Sequence, residues 1–408
     1  NQSQSGSTSG EIVIDGDVSV SSATTFTCGP QHLTVTDTFT LPSGDTNSRE
    51  LKPTAGSLRF NQDFATLEFY TGNNWATVNT FTEMQNSPGN RGRGIFCGSY
   101  HPGLSGSNYG LNNIEYINIA TKGNSLDFGD LVDAQGLMDG ASSSTRMVVS
   151  GGYNSGFGGG AVMDIQYFTM ASEGNALDFG DQTQSTYGTG ASSSSTRALI
   201  MGGNRMPNNS PFNDGNDGNN TICTIEIATI GNAIDFGDLS ARRAYPGACG
   251  DAVRMVIFGG YNNAVGQGGL KSSDTVNYAS HGNGIDFGDA TISGSNKAAS
   301  NSTKGIWSGQ NQGGGVYYNF IYSVSIQTLG DATDFGERTY DTYGSNMSSQ
   351  TRMVMAGGRG SGAPSTGTNV IDFVEIATAG NAQDFGDAGY SFSSGAGSSD
   401  CHGGLGGF

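Results

Sequence analysis

Between Ala244 and Ala290 the chain passes through four short segments whose apolar and polar positions follow different rules. AYPGACGDA is small and polar, RMVIFGGY is an apolar run closed by two glycines, DTVNYAS alternates, and GIDFGDA ends the unit. Short runs bounded by Gly, Asn and Asp, without apolar residues at helical spacing, predict four β-strands. The order recurs. A DFGD or DFGE motif starts at Asp127, Asp178, Asp235, Asp286, Asp334 and Asp384, at intervals of 48 to 57 residues. Four strands at that period predict one β-propeller blade per repeat, and stacked repeats share a core, so the length need not divide into several domains. Six copies without a phosphate-binding loop or an H-R-D segment also exclude the kinase meaning of Asp-Phe-Gly.

Within a blade, the runs GASSST and ASSSST suit an innermost strand crowded around the axis, and MVV or MVIF suits a second strand buried between neighbours. The motif Phe is expected to fill the wider outer space, the Gly to allow an unusual turn, and the aspartates to satisfy backbone donors. A cation precedes each apolar strand, at Arg93, Arg146, Arg197, Arg254, Lys304 and Arg352. It is expected to face a repeated Asp. The double glycines Gly151-Gly152, Gly202-Gly203, Gly259-Gly260 and Gly357-Gly358 resemble the end of the second strand in the kelch repeat.

The fold expected is therefore all-β, a six-bladed kelch-like β-propeller with seven blades as the alternative, preceded by a small β-rich region. GASSSTRMVVSGGY aligns without gaps to the terminal GAGSSDCHGGLGGF. Six blades require residues 390–400 to return as the inner strand of the blade that continues at Arg93. A weakened seventh second strand would follow. The domain boundaries expected are a flexible leader over 1–10, an attachment and trimerisation region over 11–84, and the propeller over 85–408. Residues 11–84 alternate like strands but hold too little apolar content for a core of their own. Neighbouring copies are expected to complete it around Phe60, Leu67, Phe69 and Trp75.

Charge and composition narrow the functions. With 18 basic and 36 acidic residues the net charge is −18, which argues against nucleic acid as a partner. No apolar run is long enough for a helical membrane span, and the start at Asn1 reads as processed or truncated. The five cysteines are odd in number and lack C-x-x-C spacing, so they imply no disulfide framework. His32, His101, His281 and His402 lack metal-ligand spacing, the sialidase box is absent, and nothing selects two carboxylates for glycoside hydrolysis. No catalytic residue, metal or cofactor is expected.

Binding is sought where the repeat is broken. The longest insertion, Asn204 to Asn220, joins a second strand to a third and contains NDGNDGNN, which does not meet the EF-hand spacing. Asn204, Asn213, Asp214, Asn216 and Asp217 are its candidate contacts. Tyr100, Tyr153 and Tyr261 stand at the starts of equivalent loops and offer aromatic faces to sugars. Loops of one connection type leave one face of a propeller.

Two segments carry a more specific resemblance. GSLRFNQDFATLEFYTGNNWATV resembles an element of fibre and other structural proteins of tailed phages. Repeats such as NNIEYINIATKGNSLDFGDL resemble a family common in marine phages, especially cyanophages, with Glu337 replacing the last Asp in the fifth copy. The resemblance implies a non-enzymatic virion surface component, a tail fibre, head fibre or collar appendage. It implies attachment to a host-surface polysaccharide or receptor, contacts with other virion proteins through the N-terminal region, and homotrimeric assembly. A propeller-fold polysaccharide depolymerase and a cellular surface adhesin are the alternatives.

Overall fold

The computed structural model describes residues 41–51, 53–63, 66–77, 92–100, 110–154, 160–205, 218–262, 269–291, 294–311, 317–340, 342–360 and 367–406. The chain divides into two compact units, Asn1–Glu83 and Met84–Phe408. Its described part is all-β apart from two 3₁₀ turns.

In the larger unit, six sheets each carry four main strands in antiparallel order from the axis outwards, and the second sheet also holds the short strands Tyr153–Asn154 and Asn204–Arg205. The third shows the plan, with Gly190–Ser193 innermost, then Arg197–Met201, Asn219–Glu226 and the motif strand Ile234–Arg243. Inner strands touch their neighbours in a closed ring of six. This unit is a six-bladed β-propeller, and the seven-blade alternative is ruled out by how the ring closes. Ala396–Ser399 is the inner strand of blade 1, with Ala396 opposite Cys97 and Ser399 opposite Gly94. Asp400 fixes the joint, its Oδ1 accepting from the Gly92 and Arg93 amides at 2.7 and 3.0 Å. No weakened second strand follows, because residues 93–100 already occupy that place. The chain turns instead into a 3₁₀ turn, Gly403–Leu405.

The core lies between blades rather than within them. Ile95 and Cys97 of blade 1 pack with Met147, Val149 and Phe168 of blade 2, and equivalent clusters follow around the ring. Each such side chain contributes about 1.5–3 kcal/mol by leaving water.

The motif joins blades too. Phe128 bulges out of register between Gly129, opposite Ile114, and Asp127, opposite Glu115, and its ring is buried. Gly129 serves a close approach rather than a turn. Its φ is 151°, and a Cβ there would sit 2.5 Å from the Gly174 carbonyl oxygen of blade 2. That approach lets the Gly174 and Ala176 amides donate to the Phe128 and Asp130 carbonyls, each at 2.8 Å, while Asn175 Oδ1 accepts from the Asp130 amide at 3.1 Å. All six junctions repeat this clip, the last from Phe385 to Gly123. The motif's last amide is therefore met by a side chain of the next blade, Asn at five junctions and Asp331 at the sixth, while the expected role of a motif aspartate is seen at Asp178, whose Oδ1 accepts from the Gly180 amide at 3.2 Å.

The cation preceding the second strand also differs from expectation. It does not face a repeated Asp, because the motif carboxylates stand on the exposed outer strand while the start of the second strand lies beside the next blade's backbone. Arg93, Arg146, Arg197 and Arg352 donate to the carbonyls of Met170, Ile227, Tyr278 and Ile119 at 2.7 to 2.9 Å. Arg254 reaches Ile326 at 3.3 Å and Lys304 reaches Ile376 at 3.0 Å. Arg93, Arg146 and Arg352 also lie over Tyr116, Tyr167 and Phe373, 4.4 to 4.5 Å from the ring centroids.

In the smaller unit one sheet runs Ser43–Gly44, Leu58–Asn61, Thr66–Tyr70, Trp75–Thr77. Its two faces are inverted relative to a normal core. Arg59 opposite Glu68 is buried with Asn61, and Arg49 closes over Glu68. Leu58 opposite Phe69 and Phe60 opposite Leu67 form the other face, where Leu58 and Phe60 are exposed. Trp75 departs from the expected set: it lies opposite Tyr70, on the Glu68 side, with Arg59 over its ring at 5.9 Å.

Candidate binding face

Antiparallel alternation sends the connections between second and third strands to the same face as those leading from a fourth strand to the next inner strand. Tyr153, Asn204 and Tyr261 occupy equivalent places just after the double glycines. The Tyr100 backbone, opposite Gly110, begins the equivalent loop in blade 1.

Tyr153 and Tyr261 are brought into one row by two tyrosines that the repeat did not single out. The Tyr153 ring lies 5.9 Å from Tyr187, Tyr187 lies 6.1 Å from Tyr245, and Tyr245 lies 6.5 Å from Tyr261, each pair edge to face. Tyr187 and Tyr245 come from connections into inner strands, so strand identity hid them, although an aromatic just before GASS and GACG was a readable signal. Gly188 makes room for the row: a Cβ there would stand 2.6 Å from the Tyr245 ring. Backbone bonds hold these connections in series. The Tyr245 amide donates to Gly188, Gly188 to Leu137, both at 2.6 Å, and Leu137 to Ser394 at 2.9 Å.

Asn204 is buried, not presented. Its Oδ1 accepts from the Gly218 amide at 3.3 Å, and its backbone lies opposite Tyr187, so it staples the root of the long insertion. Asn213, Asp214, Asn216 and Asp217 lie outside the described residues.

The axial channel is closed at both ends. On the loop face, Lys297 Nζ meets Asp139 Oδ1 at 3.1 Å and donates to the Met138 carbonyl at 2.9 Å. Burial holds the Asp139 carboxyl above its usual range, against the pull of Lys297. At the other end, His402 Nε2 meets the Ser142 carbonyl at 2.9 Å, so it carries the proton, and Nδ1 accepts from the Gly404 amide at 3.1 Å. Burial pushes the His402 pKa down. Between the two lies a cavity of about 30 Å³, room for ordered water rather than a ligand.

Within the propeller, three buried carboxylates serve the junctions. Asp274 pairs with Arg243 at 3.2 Å and Asp372 with Arg338 at 2.8 Å, and Glu115 accepts from the Gly389 amide at 3.0 Å. Among the described residues no group of three His, Cys, Asp or Glu is placed to hold a metal. The described cysteines Cys97, Cys223, Cys249 and Cys401 are buried, and no disulfide joins any two of them. On the opposite face, a cavity of about 290 Å³ is lined by Ile225, Ile230, Ile234 and His281, beside the Arg197–Glu226 pair. The chain matches no protein-family model, and no curated protein is significantly similar to it.

Proposed function

We propose that the protein is a non-enzymatic virion appendage that presents its propeller for attachment to a host-surface glycan or receptor. One observation carries the reading: the cation of each repeat, and the Asn that five of the six carry, serve to join blades, whereas tyrosines that only some repeats carry gather on one face. A scaffold that uses its repeated chemistry internally leaves recognition to what varies. The resemblance of the repeats and of GSLRFNQDFATLEFYTGNNWATV to phage structural proteins supports a virion setting. In the smaller unit, the apolar face of Leu58, Phe60, Leu67 and Phe69 suits burial against identical copies, which supports the homotrimer. Gold-labelled antibody against the propeller tests the setting. Label on purified particles is expected; label confined to the cell envelope would favour the adhesin.

A further inference from the structure

We propose that the row Tyr153–Tyr187–Tyr245–Tyr261 is a binding platform for an uncharged pyranose chain. This deepens the attachment reading and rests on it. The row crosses blades 2, 3 and 4, with successive ring centroids 5.9, 6.1 and 6.5 Å apart and planes turned by 75°, 74° and 88°. Such a herringbone turns alternate rings to present a face and an edge. A pyranose offers the matching surfaces, a C–H face for the aromatic plane and hydroxyls around its rim.

Three further observations favour a platform over internal packing. All four rings are half-buried and none belongs to the buried clusters between blades 1 and 2, 2 and 3, or 3 and 4. Beside the row, Thr189 Oγ1 and Asn262 Oδ1 are buried and have no hydrogen-bond partner among the described residues. Each follows a row tyrosine closely, Thr189 two residues after Tyr187 and Asn262 one after Tyr261. An orphaned buried hydroxyl or amide oxygen costs about 1–3 kcal/mol, which sugar hydroxyls or water can offset. Thirdly, the backbone series from Tyr245 through Gly188 and Leu137 to Ser394 holds the main chain at Tyr245 and beside Tyr187 before any ligand arrives, which lowers the ordering cost of binding.

Charge selects among glycans. A chain with a net charge of −18 repels a polyanion at long range, so the matching ligand is neutral.

Affinity electrophoresis of the full chain through gels containing neutral mannan, galactan or glucan, with anionic alginate for comparison, tests this. Retardation by at least one neutral gel and none by alginate is expected. Tyr153→Ala and Tyr261→Ala should weaken that retardation about tenfold, with thermal midpoints unchanged. Should either variant lose stability, the ring ¹³C resonances of ¹³C-tyrosine-labelled wild type replace it, and they must shift on adding oligosaccharides of the retarding glycan. Retention by alginate in preference to every neutral gel, undiminished binding by both variants, or unshifted ring resonances would overturn the proposal. If the variants still bind host envelope polysaccharide, only the platform falls. If wild type binds neither that material nor any neutral gel, the attachment reading falls with it.

Discussion

Lys297 reaches across the propeller axis to Asp139, Nζ to Oδ1 3.1 Å, joining the inner strands of blades 5 and 2, which stand three places apart in the ring of six. Two opposite blades are thereby tied where the loop face meets the channel. Because Asp139 is buried and Lys297 nearly so, Lys297→Met should destabilise the propeller by about 3–5 kcal/mol. Adding Asp139→Asn should recover part of that loss, which urea unfolding of the single and double variants can measure.

The same carboxyl gives a pH signature. Burial raises the folded pKa of Asp139 above 3.8, so the folded state holds a proton that the unfolded chain has released. The contribution is full below 3.8 and is lost as pH rises through the folded pKa. Asp139→Asn should remove this part of the fall in stability across that window, as read from urea midpoints at successive pH values.

His402 acts in the opposite sense at the other end of the channel. Its folded pKa lies below 6.5 because of burial, so stability is present above 6.5 and is lost as pH falls through the folded value. Protonated Nδ1 cannot accept from Gly404. A deletion beginning at His402 should flatten the thermal midpoint below pH 6.5 and lower it by a few degrees at neutral pH. Deletion from Ala388 onwards, which also removes the inner strand of blade 1, should abolish the cooperative transition in calorimetry.

Gly129→Ala should cost more than about 1 kcal/mol, since it meets both a left-handed φ and the Gly174 carbonyl. Gly282 lies on the other side of an equivalent clip, has open space around a Cβ, and as Ala should change stability by less than about 0.5 kcal/mol. Parallel urea curves would expose a difference of this size.

How much of this was legible depended on whether a contact has a letter in the sequence. Closure was readable, because the terminal GAGSS copies GASSS and the strand at Arg93 lacked an inner neighbour. The partner of Arg93 was not, since the Met170 carbonyl is backbone and leaves no mark on residue choice. Tyr153 and Tyr261 were found from their place after the double glycines. Tyr187 and Tyr245 were missed because they join the row from a different connection type, and Asn204 was taken for a contact because burial is invisible in an insertion rich in Asn and Gly. Trp75 fell on the unexpected face because its pairing with Tyr70 sets its parity.

Phe60→Asp on the apolar face of the smaller unit should convert trimers to monomers without altering the propeller transition. Light scattering measures the mass, and a monodisperse monomer for the unsubstituted chain would remove the trimer from the proposal.

The decisive test of attachment without catalysis uses purified protein and host envelope polysaccharide in one sample, scored both for glycan retained on immobilised protein and for reducing ends released. Retention with a flat reducing-end signal is the result expected of an attachment propeller. Reducing ends that accumulate in proportion to protein would contradict it and establish a depolymerase.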